Sequence, residues 1–321
     1  MEVIFDRSRD SRLPGSVVTI GAYDGIHLGH RLIMADLVSK AKELEVPSVV
    51  VTFDRHPASV IRPASAPLLL TDLESRLELL AGIGVDYVYL IEFDAVRATE
   101  TASDFVEQVL VGSLCARRVM VGSDFHFGHN RQGNVSYLAD RGVEYGFEVV
   151  GQELLRANSV DGISSDLRSE VVSSTLIRRL IAEGRVRDAS LLLGRDHCLR
   201  GIVAHGDSRG GGVLGFPTAN IDPPSHIAVP GDGIYAGHLR VLPDGAPVGA
   251  AISVGSRPTY YPDGGPRLVE SYLIDYDGDL YGKAVEVTFR SHIRAQAAFD
   301  NSESLVRQIE RDVEDIRAAL G

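Results

Sequence analysis

The first ~185 residues alternate short apolar runs with amphipathic stretches of helical spacing. Strands that alternate with helices in this way predict a parallel α/β sheet, in which ligands bind beyond the carboxyl ends of the strands. The predicted strands are VVTIG (17–21), VPSVVVTF (46–53), VDYVYLIEF (85–93), ARRVMVG (116–122) and FEVVGQ (147–152). The predicted helices lie within 31–44, 74–84, 103–114 and 134–146.

From Cys198 onward the pattern changes to short β-rich runs that Gly, Pro and Asp turns separate. This pattern predicts an antiparallel barrel or sandwich. The runs are LRGIVAHG (199–206), GIYAGHLRVL (233–242), GAAISVG (249–255), VESYLIDY (269–276) and KAVEVTF (283–289). Helical spacing over 302–320 predicts a closing helix with Ser302 as its N-cap. We therefore expect two domains, 1–186 and 187–321.

Composition narrows the class of protein. The net charge is −12, with 44 acidic against 32 basic residues, which disfavours nucleic-acid binding. No run approaches the ~18 apolar residues of a membrane span, and residues 1–20 lack the apolar segment of a signal peptide. The two cysteines show no metal-binding spacing, as expected in a reducing compartment. These features predict a cytoplasmic protein without membrane or nucleic-acid partners.

The string GAYDGIHLGH (21–30) follows the first predicted strand directly. Glycines at a strand-to-helix turn let the backbone approach a phosphate, and the helix N-terminus favours negative charge. Imidazoles there can stabilise charge on an α-phosphate while pyrophosphate leaves. An exposed turn is the alternative, and the lack of further ligands argues against structural zinc. The predicted residues are Gly21, Asp24, Gly29, His27 and His30, the last two catalytic.

Two further strings of the first half favour a nucleotide and a ring. In VSSTLIRR (172–179), Ser174, Thr175 and Arg178 can bind phosphate at the start of a helix, although plain helix capping is the alternative. In GSDFHFGHNRQGN (122–134), an acceptor stands beside aromatic surface, as a flavin or adenine ring requires. The predicted ring-binding residues there are Asp124, Phe125 and Phe127, with a surface loop as the alternative.

The most specific string of the second half is HGDSRGGGVLGFPTANI (205–221). A Gly-rich loop can bind phosphates through backbone N–H groups, although a plain Gly-rich hairpin is the alternative. Thr218 and Asn220 face the same way on an extended segment and offer the hard oxygen ligands that Mg²⁺ prefers. The predicted phosphate-binding residues are Gly206, Arg209 and Gly215.

A kinase that acts on an alcohol benefits from a carboxylate base. Glu270, in an apolar strand, is the candidate. Spacing alone does not show whether the base is Glu270 or one of Asp275, Asp277 and Asp279 in the turn-like DYDGD. A Glu270 that simply faces solvent is a further alternative.

In order along the chain, these motifs resemble those of the bacterial bifunctional riboflavin kinase/FMN adenylyltransferases, also called FAD synthetases. The first half carries GAYDGIHLGH, FDRHP, GSDFHFG and SSTLIR; the second carries GFPTANI, ISVGSRPTYY and VESYLIDYDGDLYGK. The resemblance implies a Rossmann-like nucleotidyltransferase domain followed by a β-barrel riboflavin kinase domain. It implies phosphorylation of riboflavin to FMN and adenylylation of FMN to FAD, both with ATP.

The same resemblance implies roles for individual residues. Thr218 and Asn220 would bind Mg²⁺ and ATP, Glu270 would be the base for the riboflavin 5′-hydroxyl, and Arg294 would contact flavin. It implies Mg²⁺ with ATP as co-substrate and no tightly bound prosthetic group. A monomer or transient homo-oligomer is expected.

The chain departs from the family motifs at five positions. Tyr23 replaces the usual Phe, Ala22 a frequent Asn, and Arg55 a frequent Pro. In the kinase half, Tyr272 stands for a His, and Gln296 for a Glu. Two alternatives therefore stay open, namely that only one activity is retained, or that the chain is a flavin- or nucleotide-binding regulator with decayed catalysis. Without the resemblance, the motifs indicate a nucleotidyltransferase fused to a β-barrel binding module.

Overall fold

The computed structural model describes residues 1–6, 12–204, 218–255, 267–299 and 301–321. These residues divide into two compact units. The first unit comprises Met1–Ser159 and Val171–Ser173; the second comprises Val160–Glu170 and Ser174–Gly321. The functional boundary at 186/187 stays a prediction, because the units record packing alone.

A parallel six-stranded sheet with the order β1-β4-β3-β2-β5-β8 forms the first unit. The strands of this unit, including a two-stranded hairpin formed by β6 and β7, are Glu2–Phe5 (β1), Ser16–Ile20 (β2), Ser48–Phe53 (β3), Tyr87–Ile91 (β4), Ala116–Gly122 (β5), His126–Phe127 (β6), Gly133–Asn134 (β7) and Glu148–Gln152 (β8). The five predicted strands are confirmed. The first strand, β1, was not predicted from the sequence because four residues show too little periodicity.

Helices cover both faces of this sheet. They are Leu28–Glu43 (α1), Pro57–Ile61 (α2), Leu73–Ile83 (α3), Ala102–Phe105 (α4) and Val135–Tyr145 (α5). On β2, Val17 packs with residues of α1 and α3, whereas Val18 packs with α4 and α5 on the other face. Burial on both faces explains why the strands read as continuous apolar runs. The single helix predicted over 103–114 is instead α4 followed by a π-helix, Val106–Ser113.

A closed antiparallel barrel with the order β10-β13-β12-β11-β14-β9 forms the second unit. Its strands are His197–Ala204 (β9), Thr218–Asp222 (β10), Gly233–Val241 (β11), Val248–Gly255 (β12), Leu268–Leu273 (β13) and Ala284–Arg294 (β14). Its helices are Ser174–Ala182 (α6), Val186–Leu193 (α7) and Ser302–Leu320 (α8). The barrel and the closing helix confirm the predicted fold class.

The closing helix α8 packs on the outside of the barrel. Ile316 is fully buried there and clusters with Ala236 of β11. The prediction of Ser302 as the N-cap is wrong, because the cap is Asn301, whose side-chain oxygen accepts a hydrogen bond from Ser304 N at 2.8 Å.

A buried carboxylate on β14 predicts acid sensitivity of the barrel. Glu286 accepts hydrogen bonds from Arg200 Nε at 3.0 Å and Arg240 Nε at 2.7 Å. Burial alone would raise its pKa, but the two guanidiniums outweigh burial and lower the pKa below its ordinary value. The resulting stabilisation is therefore fully present above the ordinary carboxyl pKa and is lost as the pH falls through the lowered one.

We expect Glu286→Gln to lower the free energy of unfolding of the barrel by about 3 kcal/mol at neutral pH. The difference from the unchanged protein should shrink as the pH falls below the carboxyl range, because the unchanged protein then loses the same interaction. Urea unfolding at several pH values measures it. A deficit that does not vary with pH would show that the ion pairs are not its cause.

Candidate active sites

The turn between β2 and α1 brings the two predicted histidines together. His27 is the N-cap of α1, and its Nδ1 accepts a hydrogen bond from His30 N at 3.4 Å. In neutral His27 the proton therefore lies on Nε2, where it can be donated to an anion. The two imidazoles stack with ring centroids 3.5 Å apart. One capped helix start thus carries both side chains.

His30 lies in an environment that keeps its ring neutral. Burial lowers its pKa well below the ordinary value, and the neighbouring His27 lowers it further. Its Nδ1 is buried and has no hydrogen-bond partner within the described residues. A neutral imidazole such as that of His30 binds an anion as a hydrogen-bond donor rather than as an ion-pair partner.

Asp24, predicted to contact phosphate, holds this turn to a neighbouring segment. Its carboxylate is buried and accepts hydrogen bonds from Leu70 N at 2.9 Å and Thr71 N at 3.1 Å. The hydroxyl of Thr71 in turn accepts from Gly25 N at 3.1 Å. These contacts make Asp24 an anchor of the turn, and a phosphate contact by this residue stays a prediction.

Tyr23, which stands where the family usually has Phe, adopts a left-handed backbone with φ 48°. Its hydroxyl lies 2.5 Å from Thr19 Oγ1, which itself donates to Met120 O at 2.6 Å. Tyr23 is therefore the donor to Thr19. Its ring contacts the His30 ring edge-on at 5.1 Å. The sequence offered one signal for this link, a polar Thr19 inside an otherwise apolar strand.

Close packing explains the two glycines predicted in this turn. A Cβ on Gly21 would lie 2.9 Å from the Tyr23 ring, and a Cβ on Gly29 would lie 3.3 Å from the His27 ring. Both positions therefore favour glycine. Their contact with phosphate stays a prediction.

Thr19→Val should destabilise the protein more than Tyr23→Phe. The first change leaves a buried Tyr23 hydroxyl without its acceptor, which costs about 1–3 kcal/mol. The second leaves Thr19 still bonded to Met120 and costs about 0.5–1.5 kcal/mol. Urea unfolding of both variants and of the double variant measures this. The double variant should lose less than the sum, and strict additivity would show that the two hydroxyls are not coupled.

The loops that follow β3 and β5 emerge beside this turn, because β3 and β5 flank β2 in the parallel sheet. After β5, the Asp124 side chain is exposed, and the half-buried rings of Phe125 and Phe127 stack at 5.4 Å. Phe127 also contacts Phe105 at 5.6 Å, so it stabilises the loop as well. An acceptor and aromatic surface therefore lie at the same sheet edge as the histidines.

The predicted phosphate residues of SSTLIR lie in the first turns of α6. Ser174 begins this helix, and Thr175 and Arg178 follow within it. Helix α6 belongs to the second unit. The phosphate contacts of these three residues stay predictions.

In the barrel, the register of β10 and β13 brings the predicted kinase residues together. Asn220 pairs directly with Glu270, and Thr218 pairs with Tyr272. Glu270 is also paired with Ser253 of β12. The residues between them, such as Ala219, point into the buried barrel interior. Thr218, Asn220 and Glu270 therefore share the outer face, and directly opposed side chains have Cβ atoms about 5 Å apart.

The competing carboxylates have other surroundings. Asp275 accepts a hydrogen bond from Arg317 at 2.8 Å, and this interaction lowers its pKa. Asp279 accepts from Tyr281 N at 3.0 Å in a turn. Of the four candidate carboxylates, Glu270 is the one paired in register with Asn220.

Arg294, predicted to contact flavin, joins β14 to α8. Its guanidinium donates to Asp312, with Nε–Oδ1 at 2.8 Å and Nη2–Oδ2 at 2.6 Å. The neighbouring Gln296 donates to Val254 O at 3.1 Å and so lies at the end of β12. A flavin contact by Arg294 stays a prediction.

Three predicted phosphate residues, Gly206, Arg209 and Gly215, lie outside the described residues. Among the helices of the described ranges, none combines the length and the apolar composition that a membrane crossing requires. The described side chains also contain no cluster of three or more His, Cys, Asp or Glu suited to a metal ion. A hydroxyl and amide site such as Thr218 and Asn220 is a different kind of donor set.

Comparison with known proteins covers both units. The FAD synthetase family model matches residues 9–167, and the riboflavin kinase family model matches residues 193–320. The bifunctional riboflavin kinase/FMN adenylyltransferase of Escherichia coli K12 is 34% identical over 307 residues, which cover 96% of this chain and 93% of that protein. The Haemophilus influenzae protein of the same name is 36% identical over 306 residues, covering 95% and 94%.

A solved structure supports the same fold. A crystal structure described as a macrolide-efflux protein from Streptococcus pneumoniae matches with a TM-score of 0.82 and 29% identity, and the match covers 98% of both chains. That description concerns the pneumococcal protein. From the two family matches and the curated relatives that span nearly all of its length, this chain belongs to the bifunctional riboflavin kinase/FMN adenylyltransferase family.

Proposed function

We propose that this chain makes FAD from riboflavin in two ATP-dependent steps, with the kinase step in the barrel and the adenylyl transfer at the edge of the parallel sheet. The observation that carries this proposal is that relatives bearing both activities in their names match the chain along nearly its whole length. The register of Asn220 with Glu270 and the stacking of His27 on His30 support one site in each half.

In the kinase step, the 5′-hydroxyl of riboflavin attacks the γ-phosphorus of ATP. A bond forms between that oxygen and phosphorus, the bridging oxygen leaves with ADP, and the hydroxyl proton passes to Glu270. An alcohol needs such a proton acceptor because its oxygen is a weak nucleophile while protonated. The position of Glu270 beside Asn220 supports its role as this base.

The residues beside Glu270 fit a magnesium ion. Thr218 and Asn220 supply a hydroxyl and an amide oxygen on the same outer face, and such hard donors suit Mg²⁺ that also binds ATP phosphates. When bound, Mg²⁺ would neutralise charge on those phosphates. Thr218 and Asn220 would then set where the ATP phosphates lie relative to Glu270.

In the adenylyl step, a phosphate oxygen of FMN attacks the α-phosphorus of ATP, and pyrophosphate leaves. No base is needed, because a phosphate monoester has a second pKa of about 6 and is largely ionised at neutral pH. The site instead has to stabilise negative charge. Two stacked imidazoles at a helix start support this role, because His30 is held neutral and His27 can donate from Nε2.

The flavin ring of FMN would lie against the loop that follows β5. Its polar edge can donate to Asp124, and its faces can contact Phe125 and Phe127. Ser174, Thr175 and Arg178 would hold phosphates of ATP through the start of α6. We further propose that the enzyme acts in the cytoplasm and needs no tightly bound prosthetic group.

Incubation of the purified chain with riboflavin, ATP and Mg²⁺ tests the proposal. Separation of the flavins over time should show FMN rising first and FAD following. FAD alone from added FMN, without any conversion of riboflavin, would limit the chain to the second activity. Absence of both products from a folded chain would support the regulator alternative instead.

A further inference from the structure

Arg76 lies in the first turns of α3 and forms hydrogen bonds to two loops of the first unit. Its side chain is buried, with 5% of the residue exposed. Nη1 donates to Ala22 O at 2.7 Å, and Nη2 donates to Phe53 O at 2.6 Å. One carbonyl belongs to the turn that carries His27 and His30, and the other begins the loop that follows β3. The two Nη donors of the planar guanidinium form a fork, and this fork therefore sets the spacing of the two loops.

The positive charge of Arg76 is not neutralised by a direct partner. Within the described residues, its guanidinium forms no ion pair, and its buried Nε has no hydrogen-bond partner. Burial lowers its pKa, although the more distant carboxylates of Asp24, Asp54 and Asp72 partly oppose this. Each of these carboxylates accepts hydrogen bonds from other groups.

A buried cation is a costly way to satisfy two carbonyls. A neutral amide could donate to them without the desolvation penalty of a charge. The penalty is offset where the charge acts on a nearby anion, since charges interact strongly when water is excluded. The β2–α1 turn, whose Ala22 carbonyl accepts a hydrogen bond from Arg76, is the proposed binding site of the ATP phosphates.

We propose that Arg76 is a positioning residue for FMN adenylylation. Its planar guanidinium aligns the two loops, and its unpaired charge strengthens ATP binding at the β2–α1 turn. This inference rests on the proposed adenylyl transfer. One side chain then has two effects. The geometry of the guanidinium keeps kcat high, and the positive charge keeps the KM for ATP low.

Two substitutions in the full chain distinguish the effects. Arg76→Lys keeps the charge but replaces the planar fork by a single ammonium. It should leave the KM for ATP within about threefold and lower kcat for FAD formation by at least tenfold, since misplaced reacting groups can cost about 10²-fold. Arg76→Gln removes the charge and should raise the KM for ATP by about tenfold, which corresponds to about 1.4 kcal/mol.

The chain supplies its own controls. Riboflavin phosphorylation in the barrel should be unchanged in both variants. Arg118→Gln is the matched control, because Arg118 is a half-buried arginine of the same unit that lies on β5 and is paired with Glu148. It should change neither kcat nor the KM for ATP.

Two results would overturn the proposal. The first is an unchanged kcat in Arg76→Lys. The second is an unchanged KM for ATP in a folded Arg76→Gln, which would assign Arg76 to stability alone. If Arg76→Gln does not fold, Arg76→Lys alone decides. Failure of the unsubstituted chain to form FAD would instead remove the proposed function.

Discussion

Glu270→Gln should reduce the phosphorylation of riboflavin by about 10²–10⁴-fold, the usual contribution of a general base. Glutamine has the same shape and stays opposite Asn220 in the register of β10 and β13, so the loss would report the missing proton acceptor. Conversion of added FMN to FAD should continue at the unsubstituted rate. The rates of the two conversions, measured separately on one preparation, give the result.

Matched variants test the competing carboxylates. Asp275→Asn and Asp279→Asn should retain the kinase activity, because these carboxylates contact Arg317 and a turn amide rather than Asn220. Asp277→Asn completes the set. Loss of FMN formation in one of these three variants, with full activity in Glu270→Gln, would move the base to the DYDGD turn.

His30→Ala should produce the opposite pattern, with FAD formation lowered by about 10²–10³-fold and FMN formation unchanged. That magnitude is typical for removal of one donor to the charge that develops in a transition state. The alanine also removes the ring that stacks on His27 at 3.5 Å and contacts Tyr23, so both neighbours lose a support.

Thermal unfolding separates this effect from collapse of the first unit. A His30→Ala protein with an unchanged unfolding transition and an intact kinase would place the loss in the chemistry. A variant that keeps full adenylyl transfer would remove His30 from the site. Loss of both activities in a folded protein would contradict the independence of the two sites.

The pattern of apolar and polar residues predicted the architecture, because buried strands appear as short apolar runs and amphipathic helices as apolar residues at helical spacing. It also placed the histidine turn after β2 and put Thr218 and Asn220 on one face. The pairing of Asn220 with Glu270 was not predictable, since it depends on a register between strands 50 residues apart. The predicted N-cap of α8, Ser302, differs by one position from the observed cap, Asn301.

Long-range contacts account for the residues that the sequence did not reveal. Arg76 has no motif around it, and its contacts to Ala22 and Phe53 exist only in the folded sheet. Asp24 was predicted to contact phosphate because it lies in the turn. Its buried hydrogen bonds to Leu70 and Thr71 show that the same position anchors the loop.

In the proposed reaction sequence, one chain transfers two different phosphorus atoms of ATP to flavin. Incubation of riboflavin and Mg²⁺ with ATP labelled at the γ-phosphorus or at the α-phosphorus, followed by separation of FMN and FAD, tests it most directly. We expect the γ label in FMN and in the FAD made from it, and the α label in FAD alone. FMN without the γ label would exclude the proposed kinase step, and FAD without the α label would exclude the proposed adenylyl transfer.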